Sequence, residues 1–234
     1  MKNLDYIERN LFQVRNKIEK AAAAAGRNAD DIRLLAAVKY AEADEIIRLR
    51  ELGVTLMGEN RVNQYEEHEK LGAFDGVSVH FIGTLQSNKV KYIAGKVDVI
   101  ESLDSEKLAE EINRRYEKIG QVARVFCEIN SGREPNKSGV MPEDAPAFCE
   151  KLAAFSNVSV AGFMTMAPIC EKNDDYRKYF AETRELALDI WTRILHNIDR
   201  PLLSMGMSNS FEAAILEGAN IVRVGRGLFV KDEN

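Results

Sequence analysis

Short apolar runs alternate with amphipathic stretches along most of the chain, and this alternation is the main structural signal in the sequence. Eight runs have the length and the β-branched, apolar character of strands, and they are residues 32–38, 54–57, 77–82, 97–100, 122–129, 158–163, 202–205 and 221–224. Nearly continuous apolar strands are typical of a parallel sheet that is covered on both faces.

Between these runs, apolar residues recur at spacings of three and four, which is typical of helices that bury one face. This spacing predicts helices over 108–119 and 148–155, the second with Pro142 in its first turn. Residues 174–197 are expected to form one long helix, and residues 211–218 a short one that ends in glycine.

An opening helix is predicted within residues 1–26, where Gly26 ends it and one face carries Leu4, Ile7, Leu11, Val14 and Ile18. The eight strand–helix units that follow predict an α/β fold. We expect a single (β/α)8 TIM barrel over residues 1–234, with the opening helix packed on it. A doubly wound open sheet is the alternative.

The composition narrows the classes of function. Of 234 residues, 45% are hydrophobic and 29% charged, which is typical of a globular chain and argues against disorder. Lys and Arg number 32 against 37 Asp and Glu, for a net charge of −5. The chain therefore lacks the overall basic footprint of a nucleic-acid-binding protein. No apolar stretch is long enough to span a membrane, and the charged N-terminus is unlike a signal peptide.

Cysteine and histidine usage argues against disulfides and metal sites. The three cysteines are odd in number and form no C-x-x-C pair, and the three histidines lack the spacing of metal ligands. We therefore expect a cytoplasmic protein with no metal, and with neither nucleic acid nor membrane as partner. We expect it to be a monomer.

Polar residues follow most of the predicted strands, and in a barrel the carboxyl ends of the strands carry the chemistry. Lys39 directly follows the first strand. Desolvation there would lower the pKa of its amine and favour the neutral, nucleophilic form. Neutral lysine amines form Schiff bases with carbonyl compounds, including pyridoxal 5′-phosphate (PLP). A solvated lysine at a strand end is the alternative interpretation.

Two loops are candidates for binding a phosphate group. The segment 206–210, which contains Ser208, precedes the short helix at 211–218, whose first N–H groups form an anion site. As an alternative, Ser208 or Ser210 caps this helix. Loops after strands seven and eight are the common phosphate site of barrels.

The second loop follows the last strand. Gly225 and Gly227 let the backbone approach a ligand there, and Arg226 supplies a positive charge. Val230 stands where a dinucleotide fingerprint would have its third glycine, so no such fingerprint is present. Arg223, inside the last strand, either points into the barrel toward the ring of a ligand or outward between helices. Beside a pyridine nitrogen, it would keep that nitrogen unprotonated.

Several motifs, in order along the chain, resemble the YggS/PROSC family of pyridoxal phosphate homeostasis proteins. The matching segments are 58–60 (GEN), 80–89 (HFIGTLQSNK), 136–139 (NKSG), 203–208 (LSMGMS) and 222–225 (VRVG). The similarity runs from about Leu34 to Phe229. It implies a barrel like the N-terminal domain of fold-type III PLP enzymes such as alanine racemase, with PLP held as a Schiff base on Lys39.

The resemblance also implies a role and a set of cofactor-binding residues. Family members are regarded as PLP carriers or regulators of the vitamin B6 pool, so we expect PLP buffering or delivery to apoenzymes, without turnover. Besides Lys39, the residues expected at the cofactor are Asn60, Ser204, Ser208, Arg223, Gly225 and Arg226. Lys89 and Lys137 lie at the mouth, where they are either solvated or help a second PLP or a partner to dock.

The chain departs from the family at three places. Val38 and Tyr40 flank Lys39 where the family often has Ser and Thr, and Arg226 stands where Thr or Ser is common. Val230 replaces a usual glycine. An arginine at 226 would strengthen phosphate binding, although its exact role is left open, and we expect Val230 to have a structural effect only.

Three other functions are alternatives. A racemase or decarboxylase of the same fold type needs a second domain, and we expect no such domain because the chain ends at Asn234. A Schiff-base aldolase acting on a sugar phosphate would use Lys39 to attack its substrate. In a pure interaction module, Lys39 would be incidental.

Overall fold

The computed structural model describes residues 4–196 and 200–231. Within them, eight parallel strands follow one another around a closed barrel in chain order. The strands are β1 (Arg33–Ala37), β2 (Leu56–Glu59), β3 (Ser78–Phe81), β4 (Val99–Leu103), β5 (Ala123–Ile129), β6 (Val158–Thr165), β7 (Leu202–Met205) and β8 (Ile221–Val224). The predicted (β/α)8 barrel is confirmed.

Helices connect the strands and cover the outside of the barrel. They are α1 (Asp5–Ala24), α2 (Ala43–Glu51), α3 (Val62–Lys70), α4 (Val90–Ile93), α5 (Glu106–Lys118), α6 (Ala145–Leu152), α7 (Arg177–Arg193), α8 (Phe211–Leu216) and α9 (Arg226–Phe229). Short 3₁₀ segments span Ala29–Asp31, Ser87–Lys89 and Asn173–Tyr176. Outward-facing strand residues such as Phe163, Met205 and Val224 pack against these helices in the main hydrophobic core.

Pairing between the first and last strands closes the sheet. β1 pairs with β2 through Ala36 and Met57, and with β8 through Leu35 and Arg223. The open, doubly wound sheet is therefore excluded. The structure also extends β4 to Leu103, beyond the predicted run at 97–100.

Two helix predictions need correction. The stretch predicted as one helix over 174–197 begins as a 3₁₀ segment, continues as α7 and leaves the helix after Arg193, while Asn197 lies outside the described residues. Pro142 is not in the first turn of α6. The carbonyl of Met141 accepts bonds from the N–H groups of Asp144 and Ala145 in a turn, and Pro146 takes the first-turn position instead.

The side chains inside the barrel form an apolar cluster and a buried polar set. The apolar cluster includes Leu35, Leu56, Val99, Phe126 and Ile221. Two residues further along three of these strands, the inward positions carry charge, because successive side chains alternate between the faces of a strand. We call the resulting buried set the polar layer, and its members are His80, Glu101, Glu128, Ser204 and Arg223.

α1 packs on the outside of the barrel, as predicted, and ends before Gly26, whose φ is +65°. It is tied to α2 by a buried hydrogen bond from the Tyr6 hydroxyl to the Glu45 carboxylate. Burial, followed by the bond to Glu45, raises the pKa of Tyr6, so the hydroxyl stays a donor. Glu45 also accepts the backbone N–H of Glu42 at 2.7 Å.

We expect Tyr6→Phe to lower the free energy of unfolding by about 1.5 kcal/mol, since it removes a hydrogen bond to a charged group. Urea denaturation at pH 7 measures this difference. Tyr40→Phe is the matched control, because Tyr40 is 78% exposed, and a surface change of this kind shifts stability by less than about 0.5 kcal/mol. Equal stability of Tyr6→Phe and the wild type would contradict the expectation.

Candidate functional site

Lys39 lies at the rim of the barrel, just beyond β1. The inward-facing residues of β1 are Leu35 and Ala37, and Lys39 continues this series at the two-residue spacing of a strand. The chain then turns, because the Ala41 N–H donates to the carbonyl of Val38 at 2.9 Å. The turn leaves Lys39 exposed, so the predicted burial of this side chain is wrong.

Two unpartnered acceptors lie on the segment that follows β2, and one of them belongs to a side chain that contacts Lys39. The Gln64 amide donates to the Lys39 carbonyl at 2.8 Å, which places this side chain beside the rim. Within the described residues, Gln64 Oε1 and Asn60 Oδ1 are buried and have no hydrogen-bond partner. A buried acceptor without a partner is costly, so these atoms fit a site that receives a ligand.

Four of the five polar-layer residues form one hydrogen-bonded chain. Arg223 Nη1 donates to the hydroxyl and the carbonyl of Ser204 at 2.8 and 2.6 Å, and Nη2 donates to the Thr165 carbonyl at 2.8 Å. Ser204 Oγ is 2.5 Å from Glu101 Oε2, and His80 Nδ1 is 2.6 Å from Glu101 Oε1. The structure thus places Arg223 inside the barrel and joins it directly to Ser204.

Glu128 is the fifth member of the polar layer and is almost completely buried. Burial, helped by the charge of Asp104, raises the pKa of Glu128 to about 7, and the charge of Arg223 opposes this rise. Burial lowers the pKa of Arg223, and the charges of Glu101 and Glu128 oppose that change. An arginine still keeps its proton in such a setting, so the layer contains a permanent cation.

The two candidate phosphate loops touch each other. Ser208 Oγ, after β7, accepts the backbone N–H of Gly227, after β8, at 3.3 Å. A Cβ on Gly225 would lie 3.0 Å from the carbonyl oxygen of Ala37, so glycine allows the end of β8 to lie close to the end of β1. Arg226 is exposed at the start of α9.

The capping role considered for the serines before α8 is wrong. Ser210 stands at the N-cap position without a side-chain capping bond, because its Oγ accepts the N–H of Met207 at 3.1 Å. Ser208 is engaged with Gly227 instead. The hydroxyl of Ser208 therefore belongs to the contact between the two loops.

Lys89 and Lys137 lie on loops after β3 and β5. The first is half-buried, with Nζ 5.4 Å from the ring centroid of Tyr92, and the second is exposed. Their loops are linked by a hydroxyl contact of 3.2 Å between Thr84 and Ser138. No contact in the described part of the chain joins either lysine to Lys39.

Sequence reasoning missed Glu101, Glu128 and His80 as residues of the barrel interior. For Glu101 and Glu128 the signal was a charged residue two positions after an inward-facing apolar residue, Val99 or Phe126. For His80 it was a polar residue within an apolar run. The described residues contain no group of three or more His, Cys, Asp or Glu side chains that could hold a metal ion. None of the helices in residues 4–196 and 200–231 is long and apolar enough to cross a membrane.

Comparison with known proteins places the chain in a family. The family model for the alanine racemase N-terminal domain matches residues 3–232. The pyridoxal phosphate homeostasis protein of Aquifex aeolicus is 43% identical over 220 residues, which cover 94% of this chain and 95% of that protein.

Two solved structures share the fold. PipY of Synechococcus elongatus PCC7942, with PLP bound, is 28% identical with a TM-score of 0.79, and the match covers 92% of this chain and 100% of that chain. An alanine racemase of Clostridium difficile 630 is 20% identical with a TM-score of 0.73, covering 99% of this chain and 58% of the racemase. The chain belongs to the alanine racemase N-terminal domain family and, within it, to the pyridoxal phosphate homeostasis proteins.

Proposed function

We propose that this protein binds PLP as a Schiff base on Lys39 and takes part in PLP homeostasis as a buffer or a delivery protein. The observation that carries the proposal is the order of strands around the barrel. β7, β8 and β1 are consecutive neighbours, so Ser208, Gly225 and Lys39 follow three adjacent strands. One ligand could therefore contact both the amine of Lys39 and the backbone of the loops proposed to bind phosphate.

The residues around this point fit PLP. The aldehyde of PLP would let Lys39 hold it covalently and reversibly, through a bond from Nζ to the aldehyde carbon with loss of the carbonyl oxygen as water. Ser208 Oγ, the backbone at Gly225 and Gly227 and the charge of Arg226 would hold the phosphate. Arg223 would keep the ring nitrogen unprotonated.

Asn60 and Ser204 complete the proposed site as neighbours of the ring. Asn60 brings its unpartnered Oδ1, and Ser204 fixes the guanidinium of Arg223. Relatives support the ligand, because they are named pyridoxal phosphate homeostasis proteins, and PipY was solved with PLP bound. We further propose that the protein acts in the cytoplasm as a monomer.

Borohydride labelling tests the covalent attachment. Protein loaded with PLP is reduced with borohydride, and peptide mapping by mass spectrometry locates the adduct. We expect it on Lys39, with complete loss in Lys39→Ala and full retention in the matched control Lys137→Ala, which also removes an exposed lysine. Equal labelling of Lys39→Ala, or a wild-type protein that takes up no PLP, would refute the proposal.

We also propose that the loaded protein turns over no amino acid. Its relatives are named for homeostasis rather than for an enzymatic reaction. Chiral analysis of L-alanine after incubation with loaded protein measures racemisation, which we expect at the rate given by free PLP.

Delivery is measured by the transfer of PLP from the loaded protein to an apoenzyme. We expect the rate of this transfer to exceed the rate of spontaneous release of PLP.

A further inference from the structure

A chain of hydrogen bonds inside the barrel joins Arg223 to two residues that the proposed function does not use. Glu101 and His80 lie in the polar layer, and at most 2% of either is exposed. Ser204 connects Glu101 to Arg223. The chain therefore runs from Arg223 through Ser204 to Glu101, and His80 binds Glu101 from the other side.

The bonds between Arg223 and Glu101 have one direction. A guanidinium only donates, so Ser204 Oγ accepts from Arg223 and gives its single proton to Glu101 Oε2. The other oxygen of Glu101, Oε1, is 2.6 Å from His80 Nδ1. The Glu101 carboxyl group is thus held from both sides.

This arrangement holds three N–H groups of the guanidinium and leaves two available to a ligand. Three N–H groups of Arg223 donate to Ser204 and Thr165, which lie on the neighbouring strands β7 and β6. A guanidinium has five N–H groups. The remaining two, on Nε and Nη2, donate to no acceptor in residues 4–196 and 200–231. They are the donors that a ligand would meet.

A buried arginine also needs a negative charge nearby, because an uncompensated buried charge is strongly destabilising. Glu128 is a poor source of that charge near neutral pH, since burial raises its pKa to about 7. It also makes no hydrogen bond to Arg223 in the described structure. Glu101 is connected to Arg223 through a single hydroxyl group.

We propose that Glu101 is a positioning residue that acts through Ser204: it holds the guanidinium of Arg223 in one orientation and supplies its balancing charge. Arg223 then presents the same N–H groups to every bound ligand. The identification of the ligand as PLP rests on the proposed function, whereas the anchoring of Arg223 is a property of the protein alone. The anchoring and the effect on PLP binding are therefore measured separately.

The first measurement uses ¹⁵N-labelled protein without PLP. Loss of one set of guanidinium signals in Arg223→Lys assigns the Nη–H resonances of Arg223. We expect slow hydrogen exchange at these groups in the wild type, because they donate to Ser204 and Thr165. We expect exchange about tenfold faster in Glu101→Gln and in Ser204→Ala, because each variant weakens the anchoring. The matched control is Glu106→Gln, since Glu106 is exposed and pairs with Lys151 on the surface.

The second measurement is the Kd for PLP. We expect it to rise about tenfold in Glu101→Gln and in Ser204→Ala, and to stay unchanged in Glu106→Gln. The double variant is expected to show the same tenfold loss as each single variant, because both changes interrupt one chain. A residue that only stabilised the barrel would change the melting temperature without producing this pattern.

Unchanged Nη–H exchange of Arg223 in Glu101→Gln overturns the proposal, and so does a hundredfold additive loss in the double variant. An unchanged Kd in both single variants overturns the link to the ligand. If the wild type takes up no PLP but the exchange of Arg223 changes as expected, the proposed function fails and the anchoring stands. If Glu101→Gln does not fold, the hydrogen exchange of Arg223 and the Kd are compared between the wild type and Ser204→Ala, which removes only a hydroxyl.

Discussion

Gly162→Ala is expected to lower the free energy of unfolding by about 3 kcal/mol or more, at the upper end of the cost of overpacking a core. A Cβ at this position would lie 2.2 Å from the carbonyl oxygen of Leu202. Gly162 pairs with Leu202 on β7 and with Phe126 on β5, so β6 cannot move away from one neighbour without disturbing the other. Backbone atoms, rather than a flexible side chain, would have to move.

Thermal unfolding followed by circular dichroism checks this result, and a loss of this size lowers the Tm by about 6–12 °C in a domain of this length. Gly26→Ala is the matched control. A Cβ there would meet nothing within 4 Å, but φ is +65°, which costs an alanine about 1 kcal/mol. A Gly162→Ala protein as stable as Gly26→Ala would contradict the prediction.

The second large effect is a dependence of stability on pH that comes from Glu128. The pKa of this carboxyl rises from 4.5 to about 7 because it is buried. Between these two values the folded state holds a proton that the unfolded chain has released. Stability therefore falls as the pH rises from about 4.5 to 7, by roughly 3 kcal/mol in total, and this contribution is constant above that range.

Glu128→Gln isolates the contribution of this group. The difference in unfolding free energy between wild type and variant, measured in urea at intervals from pH 4.5 to 8, should change by roughly 3 kcal/mol across the window and then stay level. Glu106→Gln, at an exposed carboxyl paired with Lys151, should give a difference that is nearly flat. A flat difference for Glu128→Gln would mean that Glu128 ionises as an ordinary carboxyl does.

The barrel could be predicted because parallel strands covered on both faces are apolar at nearly every position. The run at 158–163, for example, lies within β6, where seven of eight residues are buried. The order of the strands also led to the prediction that Lys39, Ser208 and Gly225 follow three adjacent strands, and the barrel has this order. These are consequences of strand order, which the sequence carries directly.

The polar layer could not be predicted in the same way. Glu101 interrupts an apolar run, so the pattern ended β4 at Ile100, whereas every residue of β4 is buried. The burial of Glu101 depends on His80, which is 21 residues away in the chain, and on Ser204, which is 103 residues away. Partners at such distances become visible only when the barrel is closed.

The local errors have a similar origin. Lys39 was expected to be buried because it follows a buried strand, but a turn after Val38 places it at the surface. Ser208 was considered as a helix cap, but its hydroxyl meets Gly227 from the following strand–helix unit. In both cases the decisive contact belongs to a loop, whose geometry apolar periodicity does not describe.

The apolar cluster inside the barrel has a consequence for the path of the proposed cofactor. Leu35, Phe126 and Ile221 have no exposed surface, so apolar side chains fill the interior on the amino-terminal side of Glu128 and Arg223. PLP bound at the rim, as proposed, would therefore enter and leave by the rim. A protein docked over the rim would then slow both steps.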